Sequence, residues 1–216
     1  MPRAILTAMT RSIVLTVLLL AGFLLPSAGP AIAADLNPGA SPAALASLEA
    51  KIGQALPPEA REFYQLHDGQ KGDAPGFFYG LEFLALDQVA SQWQTWADIV
   101  ADDPELPGSI PGSSTPPGAI QEIYVDLAWV PIAHDFSGNH LGIDLNPGPQ
   151  GHKGQIINYG PDENDKYVLA ASLTDFLEWF YHQLAAGNFR TDNDWFSPKD
   201  PPVDHFFDAL PEILTP

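Results

Sequence analysis

Between residues 129 and 159 apolar side chains recur at alternate positions, in Trp129-Val130-Pro131-Ile132, Leu141-Gly142-Ile143-Asp144-Leu145 and Gln155-Ile156-Ile157-Asn158-Tyr159, and Gly, Asn, Pro or Ser bounds each run. Short β-prone runs separated by turn formers are strand chemistry. Between the first two runs, Gly138 and Asn139 are the residues suited to the positive φ angles of a tight hairpin. The pattern predicts a three-strand antiparallel meander.

Upstream the period changes to that of helices. Ser41 and Pro42 make an N-cap and first helical position, Leu45, Leu48 and Ile52 share one face, and Gly53 ends the run. A second short helix is predicted over 58–66, with Glu59 in its first turn and a left-handed stop at Asp68-Gly69. Residues 76–86, rich in Phe, Tyr and Leu around Gly80, predict a strand pair. Asp87 is then expected to cap a helix in which Val89, Trp93, Trp96 and Val100 recur at helical spacing, the tryptophans as core.

Residues 102–118 hold five prolines and no periodicity, which predicts a surface loop. Residues 120–127 are β-prone again, and 166–171 supply another strand. Ser172 is expected to cap a helix carrying Phe176, Leu177, Phe180, Tyr181 and Leu184 along one side and ending at Gly187. The extension 188–216 is acidic and broken by proline, yet Trp195, Phe196, Phe206, Phe207 and Leu210 are too apolar for a free tail. Part of it should pack back on the domain.

The N-terminus adds a different signal. Arg3 and Arg11, an apolar run over 13–25, and Ala31-Ile32-Ala33 read as a secretory signal peptide over 1–33, cut after Ala33 and followed by a flexible lead-in over 34–40. An uncleaved anchor, or a start codon set too early, is the alternative. On the first reading the protein is exported to a periplasmic or extracellular location, with no stable membrane insertion after cleavage. The chain has no cysteine, so it carries no disulfide, no thiolate nucleophile and no Cys-ligated zinc. Without the leader it has 7 basic and 27 acidic residues, a net charge of −20. Between residues 72 and 152 there are eleven Asp or Glu and no Lys or Arg. That balance repels phosphate backbones, which excludes nucleic acid, and would steer a basic protein partner toward the domain.

Candidate chemistry gathers at His134, Asp135, His140, Asp144 and His152. Histidine and aspartate ligate metals and transfer protons, and hairpin pairing brings His134 near His140 in one of two turn registers, one residue apart, that the sequence allows. Yet no H-E-x-x-H, EF-hand or facial-triad spacing occurs, and Ser137 lies in no nucleophile elbow. The competing reading is turn-forming Asp and surface His.

The order of motifs resembles the Smi/Knr cell-wall-assembly-regulator family of the SUKH superfamily. The resemblance rests on LPPEAREFYQLHDGQ (56–70), WVPIAHDFSGNHLGIDLNP (129–147), GQIINYG (154–160) and SLTDFLEWFYHQL (172–184), and covers about 41–187. It implies a single α+β domain, a mostly antiparallel twisted sheet with helices packed against it. It also implies a non-enzymatic protein-binding module without cofactors, either an immunity protein that neutralises a toxin or a regulator of envelope or cell-wall synthesis. No catalytic residues are carried over. The leader, the Pro-rich insert 102–118 and the extension 188–216 depart from the family's core pattern. The expectation is thus a monomer that binds a basic protein, with the loop acids Asp102, Asp103 and Glu105 as first candidates for contact. The alternative is a secreted hydrolase or metal-dependent enzyme that uses His134, Asp135 and His140.

Overall fold

The computed structural model describes residues 36–72, 76–192 and 195–214; the segment read as a leader, 1–33, lies outside them. Helix α1, Pro42–Ile52, starts as its sequence predicts: Ser41 Oγ accepts the Ala44 N–H at 3.1 Å, and Gly53 closes the helix at φ 71°. Its Leu45, Leu48 and Ile52 are buried. Helix α2, Pro58–Leu66, ends at an extended His67, not in the left-handed cap expected at Asp68-Gly69. Asp68 serves the next helix instead, where its Oδ1 accepts the Leu86 N–H at 2.8 Å. The turn that allows this runs through Gly69, φ 74°, where a Cβ would lie 2.3 Å from the Ala85 nitrogen.

The aromatic run 76–86 forms one two-residue strand, β1 (Glu82–Phe83), and a Phe78–Leu81 bridge, not the strand pair its composition predicts. The Gln70 side chain takes two of the N–H groups that a ladder would use, those of Phe77 and Phe83, at 2.8 and 2.9 Å. The chain turns at Tyr79 and Gly80 (φ 51° and 89°), so Phe77, Phe78, Tyr79 and Phe83 all point inward.

Helix α3 spans Leu86–Asp102 and starts one residue earlier than the expected Asp87 cap. Gln88 Oε1 accepts the Ala85 N–H at 2.8 Å, which satisfies one of the helix's orphan donors. After it the Pro-rich insert is not a loop throughout. A short helix α4 (Leu106–Ser109) precedes β2 (Ser113–Thr115), three residues between prolines that are free to pair. Residues 120–127 make no strand, because Ser114 Oγ accepts the Ala119 and Ile120 N–H groups and Pro107 O accepts that of Tyr124.

The meander is present as β3 (Trp129–His134), β4 (His140–Asp144) and β5 (Gln155–Tyr159), continued by β6 (Asp165–Ala170). The sheet order is β1-β3-β4-β5-β6-β2, antiparallel except for the parallel β6–β2 edge. Every residue of β4 and β5 is buried, as expected of central strands covered on both faces. Val130, Ile132, Leu141, Ile143 and Ile156 share the larger core, to which α1, α2 and helix α5 (Leu173–Ala185) contribute. Trp129, Ile157 and Tyr159 enter a second core with Trp96, Ile120 and Val125. Ser172 caps α5 as expected, but Tyr181 lies off its buried stripe.

The extension folds back. Strands β7 (Arg190–Asp192) and β8 (Trp195–Ser197) pair, and a 3-10 turn (Phe206–Ala209) leads into α6 (Leu210–Leu214). Phe196, Phe206, Phe207 and Leu210 are buried against Tyr79, Trp179 and their neighbours. The molecule is a single α+β domain with a mostly antiparallel sheet.

Candidate functional site

The candidate histidines belong to a buried row across the sheet. Strand register places Glu82 opposite His134, His134 opposite His140, and His140 opposite Tyr159. Glu82 Oε2 lies 2.7 Å from His134 Nε2, the two imidazoles are 6.3 Å apart, and His140 stacks on Tyr159 at 5.1 Å. Helix α3 runs over this row. Gln88 donates to Glu82 at 3.0 Å, Gln92 Oε1 meets His140 Nε2 at 3.3 Å, and Trp96 packs on both His140 and Tyr159. The three helix residues are spaced by four, so one face of α3 covers the whole row. His140 is 1 % exposed, and burial, helped by the neighbouring His134, lowers its pKa to about 3. It is therefore neutral at ordinary pH.

The sequence reading is half right about these residues. Asp135 does form the turn, accepting the N–H groups of Ser137 and Asn139 at 2.7 and 3.0 Å. His134 and His140, however, are not surface histidines, because Glu82 and α3 close over them. The turn itself uses positive φ at Phe136 (67°) and Gly138 (100°), where Gly138 and Asn139 were expected. Asn139 stays out of that region, and its amide instead donates to Asp135 and to Asp162, at 2.7 and 3.1 Å.

Asp144 and His152 do not join the group. Asp144 sits at the opposite end of β4, fully buried, where burial raises its pKa to about 6 against hydrogen bonds from Gln155 and the Asn146 N–H. His152 is exposed beyond it. Among the described residues no three His, Asp or Glu side chains converge in a way that would hold a metal ion. With its histidines bonded beneath a helix, the row is suited to orienting α3 on the sheet more than to meeting a substrate.

The loop acids lie elsewhere. Asp102 ends α3, Asp103 follows as its C-cap with its N–H on Ile99 O, and Asp103 Oδ1 accepts the Glu105 N–H at 3.2 Å. All three are exposed, as is Asp98 one turn back, and no basic residue occupies the last turn of α3. Of these, Asp102 and Asp103 sit at the negative end of the α3 dipole, where a carboxylate is unfavourable, whereas Glu105 is the N-cap of α4. Beside them Ile99 and Ile110 are 41 % and 39 % exposed. Only one large hydrophobic side chain among the described residues is more open, Phe136 at 68 %, on the hairpin turn. The sequence places Phe136 in the turn between two strands, but nothing in the pattern singles it out as the most open of the large apolar side chains.

Comparison with known proteins places this geometry in a family. The model of the SMI1 / KNR4 family (SUKH-1) matches residues 39–179. A cell wall biosynthesis/cell cycle regulator, smi1, of Schizosaccharomyces pombe is 36% identical over 166 residues, covering 72% of this chain and 33% of the relative. A glucan synthesis regulatory protein of Neurospora crassa is 32% identical over 197 residues (76% and 37%), and the cell wall assembly regulator SMI1 of Saccharomyces cerevisiae 28% over 207 (75% and 41%). The chain thus spans between a third and about two fifths of the length of these relatives. All three are named as regulators and none as an enzyme.

These relatives overturn the exported location expected from the N-terminal segment. They are named for regulating wall assembly, glucan synthesis and the cell cycle, not as secreted or periplasmic proteins. That expectation rested on the order of a basic start, an apolar run and an Ala-x-Ala ending within one N-terminal segment, with nothing from the rest of the chain to support it. With the family model matching residues 39–179 and the Schizosaccharomyces pombe relative 36% identical over 72% of the chain, the chain belongs to the SMI1 / KNR4 family (SUKH-1).

Proposed function

We propose that this chain is a non-enzymatic protein-binding domain that regulates cell-wall assembly, and that the acidic end of α3 is its working surface toward a cationic partner. What supports the surface is the placement of Asp98, Asp102, Asp103 and Glu105 at the helix C-terminus. At Asp102 and Asp103 a carboxylate meets the negative end of the helix dipole, an unfavourable placement that a cationic partner would turn into attraction by meeting both the side chains and the dipole. Attraction of that kind speeds association and weakens as salt screens it. What supports the regulatory role is the naming of the relatives, which favours it over toxin neutralisation. What supports a binding role over catalysis is the histidine row, whose members are engaged beneath α3.

The test pairs the wild-type protein with the triple variant Asp102→Asn, Asp103→Asn, Glu105→Gln. A partner captured from host extract and identified should associate with the wild type several-fold faster at low than at high salt, and with the variant more slowly. If salt and the substitutions both leave the rate unchanged, this surface is not the contact. A strain lacking the gene should differ from its parent in sensitivity to wall-lytic enzymes; identical sensitivity would sink the regulatory role.

A further inference from the structure

We propose that the C-terminal extension, residues 188–214, is a releasable strap over an aromatic seat made by Tyr79, Trp179 and Phe180, and that a partner's linear segment bearing adjacent aromatic residues takes the seat in its place. The proposal extends the protein-binding reading with a second surface, and its test bears on the strap alone.

The first observation is that the domain is complete without the strap. All six strands of the main sheet lie between residues 82 and 170, the family match ends at 179, and α5 closes at Ala186. Gly187, at φ 72° with open space where a Cβ would stand, is the joint.

The second is that the strap keeps its own shape. Strands β7 and β8 pair with each other and add nothing to the main sheet. Asn188 Nδ2 donates to Asp200 O at 2.9 Å, its Oδ1 accepts the Asp200 N–H at 2.7 Å, and Arg190 Nη2 donates to Val203 O at 2.7 Å. Among the described residues no backbone–backbone hydrogen bond joins 189–214 to the rest of the domain. The strap can therefore leave without breaking a ladder.

The third is the chemistry of the seat. The Tyr79 ring lies 5.3 Å from Phe196 and 5.4 Å from Phe206, Trp179 is 6.0 Å from Phe206, and Phe180 is 6.4 Å from Phe196. Offset and tilted ring pairs at such distances are favourable contacts. The Tyr79 hydroxyl donates to a backbone carbonyl, that of Asn188, at 2.6 Å, and any linear segment offers one. Phe196, Phe206, Phe207 and Leu210 are all buried, so the closed form dominates and release takes a competitor that supplies the same rings.

Native-state amide exchange of the intact chain reads the opening. Amides of β7, β8 and the 3-10 turn should exchange at least about tenfold faster than those of β4 and β5, with a smaller denaturant dependence. Ile157→Val, in the smaller core, should speed β4 and β5 about two- to tenfold and leave the strap at its wild-type rate, because strap opening leaves that core intact. If strap and sheet share one rate and one denaturant slope, or Ile157→Val speeds both alike, the extension opens only with the whole domain and the strap is refuted. A fluorescent peptide of residues 188–214, followed by anisotropy, tests the seat. The Phe206→Ala chain, whose own strap competes less, should bind it at least about tenfold more tightly than the wild type. The same peptide carrying Phe206→Ala should bind that chain at least about tenfold more weakly. No binding to the loosened chain, or equal binding of the two peptides, would overturn the aromatic seat. Wild-type exchange decides the strap even where Phe206→Ala does not fold, and either failure leaves the acidic end of α3 as a contact surface.

Discussion

His205 in the C-terminal extension sets its Nε2 3.2 Å from Asp135 Oδ2 in the β3–β4 turn, and so fastens a segment beyond the family-matched region to the central hairpin of the sheet. Burial alone would raise the Asp135 pKa, but the adjacent His205 imidazole and hydrogen bonds from Asn139 and the Ser137 N–H hold it well below the ordinary 3.8. The Asp135 carboxylate beside it raises His205 above 6.5 against the effect of burial, and Asp208 and Glu163 add to the rise.

The sign of the resulting pH dependence follows. A histidine whose folded pKa is raised contributes fully below 6.5 and loses that contribution as pH climbs through the folded value. The depressed Asp135 contributes fully above 3.8. The pair is therefore strongest between those limits. His205→Gln should cost about 1 kcal/mol at pH near 5.5, a partly exposed pair being discounted for solvent, and less near 8.5. Urea unfolding of both proteins at the two pH values measures it. An equal cost at both would mean that the imidazolium is not what holds the extension.

Gly142, in the middle of β4, has no unusual φ; its role is spatial. A Cβ there would lie 2.5 Å from Tyr159 Cε1 and 3.2 Å from Val130 O. The Tyr159 ring fills the space on that face, and its hydroxyl donates to Trp129 O at 3.2 Å. Gly142→Ala should destabilise by about 1–3 kcal/mol, the range for overpacking a filled core. Pairing it with Tyr159→Leu should recover part of the loss; additive losses in the double mutant would show that the ring is not the obstacle.

Where sequence and structure agree, the signal was local. Ser41-Pro42 and Gly53 fix α1 because cap chemistry needs no distant partner. Gln155 to Tyr159 form a strand as expected because a short β-prone run lies between turn formers. What was not legible depends on remote partners. Strand β2 is Ser113-Ser114-Thr115, with no apolar signal, and exists because it pairs with β6, Ser113 Oγ also bonding Asp165 52 residues on. The run 76–86 has strand composition but loses its donors to Gln70. The facing of His134 and His140 was one of two registers the hairpin allows, and their burial depends on Glu82 and Gln92 from elsewhere in the chain.

Trp129 is 1 % exposed, with Tyr159 packed at 5.5 Å and the Lys166 ammonium 5.5 Å from its ring. Trp129→Ala removes most of one wall of the smaller core and should cost about 3–5 kcal/mol. Its exposure is low enough that an unchanged melting temperature would contradict the packing described here.

Lys166 is the buried cation of β6, with no measurable exposure; its Nζ donates to Glu163 O at 3.1 Å and lies over Trp129. Burial lowers its pKa from 10.5 to about 8, with Glu163 and Asp165 opposing the drop. Below about 8 both folded and unfolded chains carry the proton, and the folded chain bears the cost of burying the charge. Between about 8 and 10.5 the folded chain gives up its proton first, so the unfolded chain binds more protons and stability rises with pH. Lys166→Met has no proton to lose. Its stability should match or exceed that of the wild type near pH 7, and fall behind as pH climbs through that window. Buried Tyr64 and Tyr159, whose pKa values burial raises, oppose stability at high pH in both proteins and cancel in the difference. Urea midpoints of the pair at pH 7, 8.5 and 9.5 give the comparison. A difference that stays flat across the three would mean that the ammonium keeps its solvation in the folded state, and that Lys166 reaches water past β2.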